Sequence, residues 1–159
     1  MATLAEITEP FIEMAHKIVW CTVATVDRSG RPRCRVLHPI WEVVDGAPVG
    51  WIATAKTPIK LAHLQQTPHV ACNYWTPEQD TCLAECRAEW VEDAATKAAV
   101  WDKFANGPEP VGYDPAMIPG WDNADSPGFD ALRLTPWRIR VMPAAAMLTG
   151  EGILVWKEG

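Results

Sequence analysis

The chain has 159 residues, enough for one domain of the usual ~100–200 residues with roughly two-thirds of its extended surface buried, which excludes two packed domains. A composition 48% hydrophobic and 21% charged excludes wholesale disorder, and a net charge of -6 removes global electrostatic support for nucleic-acid binding. No stretch approaches the ~20 apolar residues of a membrane span, and Glu6, Glu9 and Glu13 stand where a signal peptide would place an apolar run, so a cytoplasmic protein is expected.

A short helix is predicted over Glu9 to Lys17, with Thr8 as N-cap, Pro10 in the first turn and Phe11, Met14, Ala15 and Ile18 at near-helical spacing. "IVWCTVATVD" then reads as a strand, "RSGRP" as a turn, and "RCRVLHPIWEV" as one extended run up to the turn at Asp45-Gly46. "PVGWIAT" makes a third strand, so an antiparallel meander is expected. Thr57 caps a helix with Pro58 in its first position, and that helix must stop near Pro68. "HVACNYW" is a fourth strand. In "TCLAECRAEWV" the residues Cys82, Ala84, Cys86, Ala88 and Trp90 fall on one side and Glu85, Arg87 and Glu89 on the other, the period of a half-solvated strand.

Asp93 caps a third helix with a stripe of Ala94, Ala98, Trp101 and Phe104 or Ala105. The segment 106–128 is a loop with five prolines and little periodicity, either a lid or a structural surface wrap. "FDALRLTPWRIRVMPA" and "GILVWK" supply the last strands. Six to seven antiparallel strands with about three helices give a mainly β (α+β) class, a single domain over 1–159 in which no βαβ unit appears.

Cys21, Cys34, Cys72, Cys82 and Cys86 lie among apolar residues and read as buried free thiols. Cys82 and Cys86, with His63 and His69 upstream, lack the tight knuckle of a structural zinc site, and no metal site is expected. His16, His63 and His69 read as exposed. Arg31, Arg33 and Arg35 alternate on one strand face, and Lys56 and Lys60 flank the helix start that follows. A helix N-terminus with lysines and neighbouring arginines is a combination that binds phosphate, although solubilising charge on an edge strand would look the same.

From Ile18 to Trp90 the chain resembles the pyridoxamine 5'-phosphate oxidase-like superfamily of flavin-binding split β-barrels. The resemblance is carried by the hairpin "TVATVDRSGRPRCRVL", the strand "WIAT", the helix "KLAHL" and the strand "TPHVACNYW", in that order. It implies that Arg35 begins the flavin-contacting strand, with Arg33 beside it, and that Val36, Leu37 and His38 continue along the isoalloxazine ring. It also implies that Ala53 and Thr54 end the next strand against the cofactor, and that Lys60 grips the phosphate with Lys56 or Thr57 in support. Thr81 or Cys82 falls where the family often places a ring-contacting glutamine. The pattern departs from the oxidases at Pro58-Ile59-Lys60, where they carry Ser-Arg-Lys. It departs again at Ile40, where a lysine helps hold their substrate, and at Arg138-Ile139-Arg140, where they carry an Arg-x-His pair.

The resemblance therefore implies an FMN-dependent oxidoreductase, homodimeric with sites at the interface, acting on a small molecule other than pyridoxamine 5'-phosphate. A reductase using the deazaflavin coenzyme F-420 is one alternative; a non-catalytic flavin- or haem-binding protein is another. No nucleic-acid or membrane partner is expected.

Overall fold

A computed structural model describes residues 1–159. The first helix, α1 (Leu4–Ile18), begins earlier than Thr8 because Thr3 and Glu6 form a capping box: Thr3 Oγ1 accepts from the Glu6 amide at 3.3 Å and the Glu6 carboxylate accepts from the Thr3 amide at 2.7 Å. Thr8 is not a cap. It is buried inside the helix and donates to the Leu4 carbonyl at 2.7 Å, and Pro10 follows within the helix. Ile7, Phe11 and Ala15, spaced by four, are buried in the main core.

An antiparallel sheet of eight strands carries the fold, in the order β2-β1-β5-β6-β7-β4-β3 with β8 off this path on β7. The strands are β1 (Cys21–Val26), β2 (Pro32–Leu37), β3 (Pro39–Val44), β4 (Ala47–Ala53), β5 (His69–Trp75), β6 (Thr81–Trp90), β7 (Ala131–Met142) and β8 (Leu154–Lys157). The expected single run through Arg35 and Trp41 is two strands that break at His38, which accounts for the extra strand. No meander forms: β2 pairs with β1 and β3 with β4, at opposite ends of the pairing order. Only His38 separates Leu37 from Pro39, so the two edges of the sheet are held within a few ångströms at that point. The sheet must curl, and it does so without closing.

The long strand β7 shows where the curl is split. Along one side it pairs with β6 throughout; along the other, Ala131–Leu134 pair with β4 while Arg138–Val141 pair with β8. A register shift at Glu85/Cys86 leaves Trp137 unmatched beside Pro136, a bulge that accommodates proline in an internal strand.

The helices α2 (Pro58–Gln66) and α3 (Ala94–Ala105) start at Thr57 and Asp93 as read from the sequence. In α3, however, Val100 and Phe104 are the buried positions, and Ala94 and Ala98 face solvent. A further short helix, α4 (Ala146–Thr149), closes on Gly150 in the left-handed region. Two cores result. The main one lies between α1 and the curled sheet, where Trp41 donates from Nε1 to the Tyr74 hydroxyl at 2.8 Å and meets Phe11 edge-on at 4.8 Å. The second joins Val100, Phe104, Trp121 and Phe129 beneath the 106–128 loop. Cys21, Cys72, Cys82 and Cys86 are buried, but Cys34 is exposed on the edge strand β2. No helix is long and apolar enough to cross a membrane.

Gly50 lies opposite Trp41, and a Cβ there would meet the indole at 2.8 Å. Because Trp41 is fully buried and hydrogen-bonded, Gly50→Ala is expected to destabilise the fold by about 1–3 kcal/mol, seen as a lower urea midpoint at unchanged slope. An unchanged midpoint would show that the Trp41 ring can shift at no cost.

Candidate functional site

The β1–β2 turn sets the basic residues. Asp27 Oδ1 accepts from the amides of Ser29 at 2.9 Å and Arg31 at 3.0 Å, and its Oδ2 takes the Arg31 Nε at 2.9 Å. Arg31 is thus committed to the turn and lies outside β2. Arg33 is exposed and forms no ion pair, whereas Arg35 leans inward and donates from Nη1 to Thr25 Oγ1 at 3.0 Å. Thr25 is buried, and its hydroxyl lies 3.0 Å from His63 Nδ1. The same hydroxyl donates to the Arg33 carbonyl at 3.4 Å, so Thr25 ties Arg35, the β2 backbone and His63 into one cluster. His63 is therefore buried and structural, and His16 is half-buried with Nε2 accepting from the Trp41 amide at 2.9 Å; of the three histidines read as exposed, only His69 is so.

Lys60, in the first turn of α2, donates to the hydroxyl of buried Thr54, just beyond β4. Burial, and after it repulsion from Arg35, lowers the Lys60 ammonium from its ordinary value against the weaker opposing pull of the Asp130 carboxylate, which is itself paired with Lys97 at 2.6 Å. Burial, and then Arg33, does the same to Arg35. Two half-buried cations therefore face each other closely enough to repel, and neither forms an ion pair, although seven ion pairs occur elsewhere in the chain. Such an arrangement is unfavourable by itself and favourable around a bound anion.

The other expected residues divide. Lys56 turns away to Glu92 at 2.7 Å, with its ammonium 5.3 Å from the Trp90 ring. Thr57 Oγ1 caps the helix, accepting from the Lys60 amide at 3.4 Å, and keeps its hydroxyl proton to donate. Thr81 lies at the start of β6 opposite Trp75, three strands across the sheet from the β2 edge and about 14 Å from it at the usual strand spacing. Within one chain it is not brought to the cation pair.

Val36, Leu37, His38 and Ala53 line a cavity of about 500 Å³ whose far wall is the 106–128 segment, through Pro110, Gly112, Tyr113, Met117, Ile118 and Pro119. The segment is packed in place. Val111 and Trp121 are buried, and Trp121 Nε1 donates to the Gly128 carbonyl at 2.7 Å. On the other side of Arg35, a polar hollow of about 440 Å³ is lined by Asp27, Arg28, Arg31, Arg33, His63 and Gln66 among others, with Arg31 neutralised by Asp27. The strand β2 thus leads from a basic hollow, past the cation pair, to an apolar cavity. Trp20 also lines that cavity, and its only signal in the sequence is a large ring just ahead of a buried strand.

These features fit a planar heterocycle carrying a phosphoester: the apolar cavity suits the rings, and the unpaired cations suit the phosphate. Residues 7–142 match the family model described as pyridoxamine 5'-phosphate oxidase, and the chain belongs to that family. A protein related to general stress protein 26, of the pyridoxinephosphate oxidase family, from Clostridium acetobutylicum superposes with a TM-score of 0.69 at 15% identity, covering 97% of this chain and 94% of that one. A pyridoxamine 5'-phosphate oxidase-related, FMN-binding protein from Nostoc punctiforme gives 0.66 at 17% identity, covering 98% and 90%. An F420 reductase gives 0.57 at 17%, covering 81% and 94%. At these identities the likeness establishes the fold. Comparison with curated proteins found no match.

His38 is buried at the cavity wall, and burial, followed by the charge of His16, brings its pKa down to about 4. The unfolded chain takes up this proton near pH 6.5 and the folded chain only near 4, so the contribution to stability is full above 6.5 and is lost as pH falls toward 4. His38→Phe is expected to flatten the urea-midpoint profile over this window. His16, also lowered by burial, retains a smaller slope of the same sign. An identical profile in the variant would place the proton uptake elsewhere.

Proposed function

We propose that this chain is an FMN-dependent oxidoreductase of the cytoplasm acting on a small molecule other than pyridoxamine 5'-phosphate. The observation that carries this reading is the pair Arg35 and Lys60, neither of them in an ion pair, next to an apolar cavity of suitable size. The flavin, when bound, supplies hydride and electron transfer. The protein's part is binding and exclusion of water: Lys60 and Arg35 neutralise the phosphate, the β2 backbone from Val36 to His38 flanks the ring, and Pro110 to Pro119 cover it.

The proposed exclusion of pyridoxamine 5'-phosphate rests on three positions. Ile40 has no charge to offer a second phosphate, Arg138 is spent on Glu85 at 2.9 Å, and Arg140 is exposed on β7. Homodimerisation, with the partner covering the cavity mouth, is supported by apolar side chains left in solvent there, Trp20, Val36 and Met117. Five free thiols support a reducing compartment. A second reading, a deazaflavin coenzyme, is favoured by the basic hollow beyond Arg35, which leaves room for anionic groups past the first phosphate.

The spectrum and mass of the small molecule that co-purifies separate these readings: FMN is expected, and a deazaflavin or haem would replace it as the cofactor. Bleaching by a nicotinamide donor followed by reoxidation is expected of an enzyme and not of a storage protein. Lys60→Ala is expected to weaken FMN by roughly ten- to hundredfold, the scale of a charge-assisted hydrogen bond, with little change in urea midpoint. An unchanged dissociation constant would remove Lys60 from the site.

A further inference from the structure

We propose that the space the apolar cavity leaves open beside the flavin rings selects an uncharged, planar, conjugated carbonyl compound of the quinone type, and that the His38 side chain is the specificity-determining group that donates to its carbonyl oxygen. This rests on the flavin reading above and names the substrate class of that site. No Asp, Glu, Lys or Arg lines the cavity. A charged substrate seated there would lose its hydration with no partner, at a cost of several kcal/mol, whereas an uncharged ring system would be desolvated favourably.

Trp20 favours a planar ligand. The Trp20 amide donates to the Ile18 carbonyl at 2.9 Å, closing a three-residue turn at Val19, whose φ of 70° and ψ of -66° are strained for a β-branched residue. This turn leaves α1 and holds the Trp20 ring at the cavity, 60% exposed, instead of in the core. An exposed indole fixed by a strained backbone is a platform for a flat ligand.

His38 supplies the polar contact. Its ring lies among Trp20 at 5.3 Å, Tyr113 at 5.5 Å and Phe104 at 5.7 Å, and it is only 8% exposed. It makes no hydrogen bond within the chain, and of its two ring nitrogens only Nε2 is sealed from solvent without a partner. An orphaned buried N–H is rarer than an orphaned acceptor, so the sealed Nε2 is the bare nitrogen and the proton resides on Nδ1, available to the cavity. Burial keeps the imidazole uncharged across the neutral range, which suits a carbonyl oxygen and offers no counter-charge to a phosphate or carboxylate.

The test uses one ring system with and without a charge. 1,4-Naphthoquinone, 1,4-naphthoquinone-2-sulfonate and naphthalene are titrated calorimetrically into the oxidised, FMN-loaded protein, so that binding is read without turnover. The quinone is expected to bind at least tenfold more tightly than the sulfonate, and His38→Phe to weaken the quinone about tenfold while leaving naphthalene unchanged. That selective loss is not the signature of a packing role. Equal affinity for quinone and sulfonate overturns the substrate class, and undiminished quinone binding by His38→Phe overturns the role of His38. Failure of FMN to bind overturns the cofactor reading instead, and the same three titrations into the cofactor-free chain then decide the substrate class by the same criteria.

Discussion

The fold and the site both depend on one covalent constraint: β2 and β3 are the two ends of the sheet, and a single residue, His38, joins them. An open antiparallel sheet of this size would otherwise hold its edges far apart. Because the chain passes directly from one edge to the other, the sheet has to curl until they meet. That meeting point brings the end of β2, the end of β4 and the start of α2 together, so Arg35, His38, Thr54 and Lys60 become neighbours despite lying on separate elements. The hydrophobic effect fills the inside of the curl, with Trp41 and Tyr74 hydrogen-bonded to each other at its centre. The topology therefore places the site, and the side chains decide what it can hold.

Electrostatics divides the site in two. The chain is acidic overall, yet it keeps a lysine and an arginine half-buried and unpaired next to each other. Their positions are not accidental consequences of packing, since each is fixed by a buried threonine: Thr25 receives Arg35 and Thr54 receives Lys60. Beyond the pair the cavity carries no formal charge, and its one ionisable base, His38, is held neutral by burial. A ligand with an anionic tail and an uncharged ring system satisfies both halves at once.

Much of this was legible in the sequence. Strict alternation along β6 and the Thr57-Pro58 and Asp93 caps defined elements whose bounds the structure keeps, because each signal is local. The hairpin and helix order carried the resemblance to the family. What escaped was set by tertiary demands. No turn signal interrupts "RCRVLHPIWEV", and only Pro39 hinted that the strand ends at His38. The Thr3–Glu6 capping box competes in the sequence with Thr8-Pro10, a signal of the same type inside the helix. Arg31 and Lys56 carried the right charge for the site but found nearer carboxylates, Asp27 and Glu92, and no spacing rule reveals such competition. Burial of His63 follows from Thr25 on a strand far away in sequence, so it could not be read locally.

The proposed function stands or falls with recognition of a phosphoester by the cation pair, its rings occupying the adjoining cavity. FMN and riboflavin share those rings and differ only in the phosphate, so equilibrium dialysis of both against the cofactor-free protein isolates the contribution of Arg35 and Lys60. The account predicts that FMN binds at least tenfold more tightly and that this advantage shrinks at high salt. Equal affinity for the two, at any salt concentration, would contradict it.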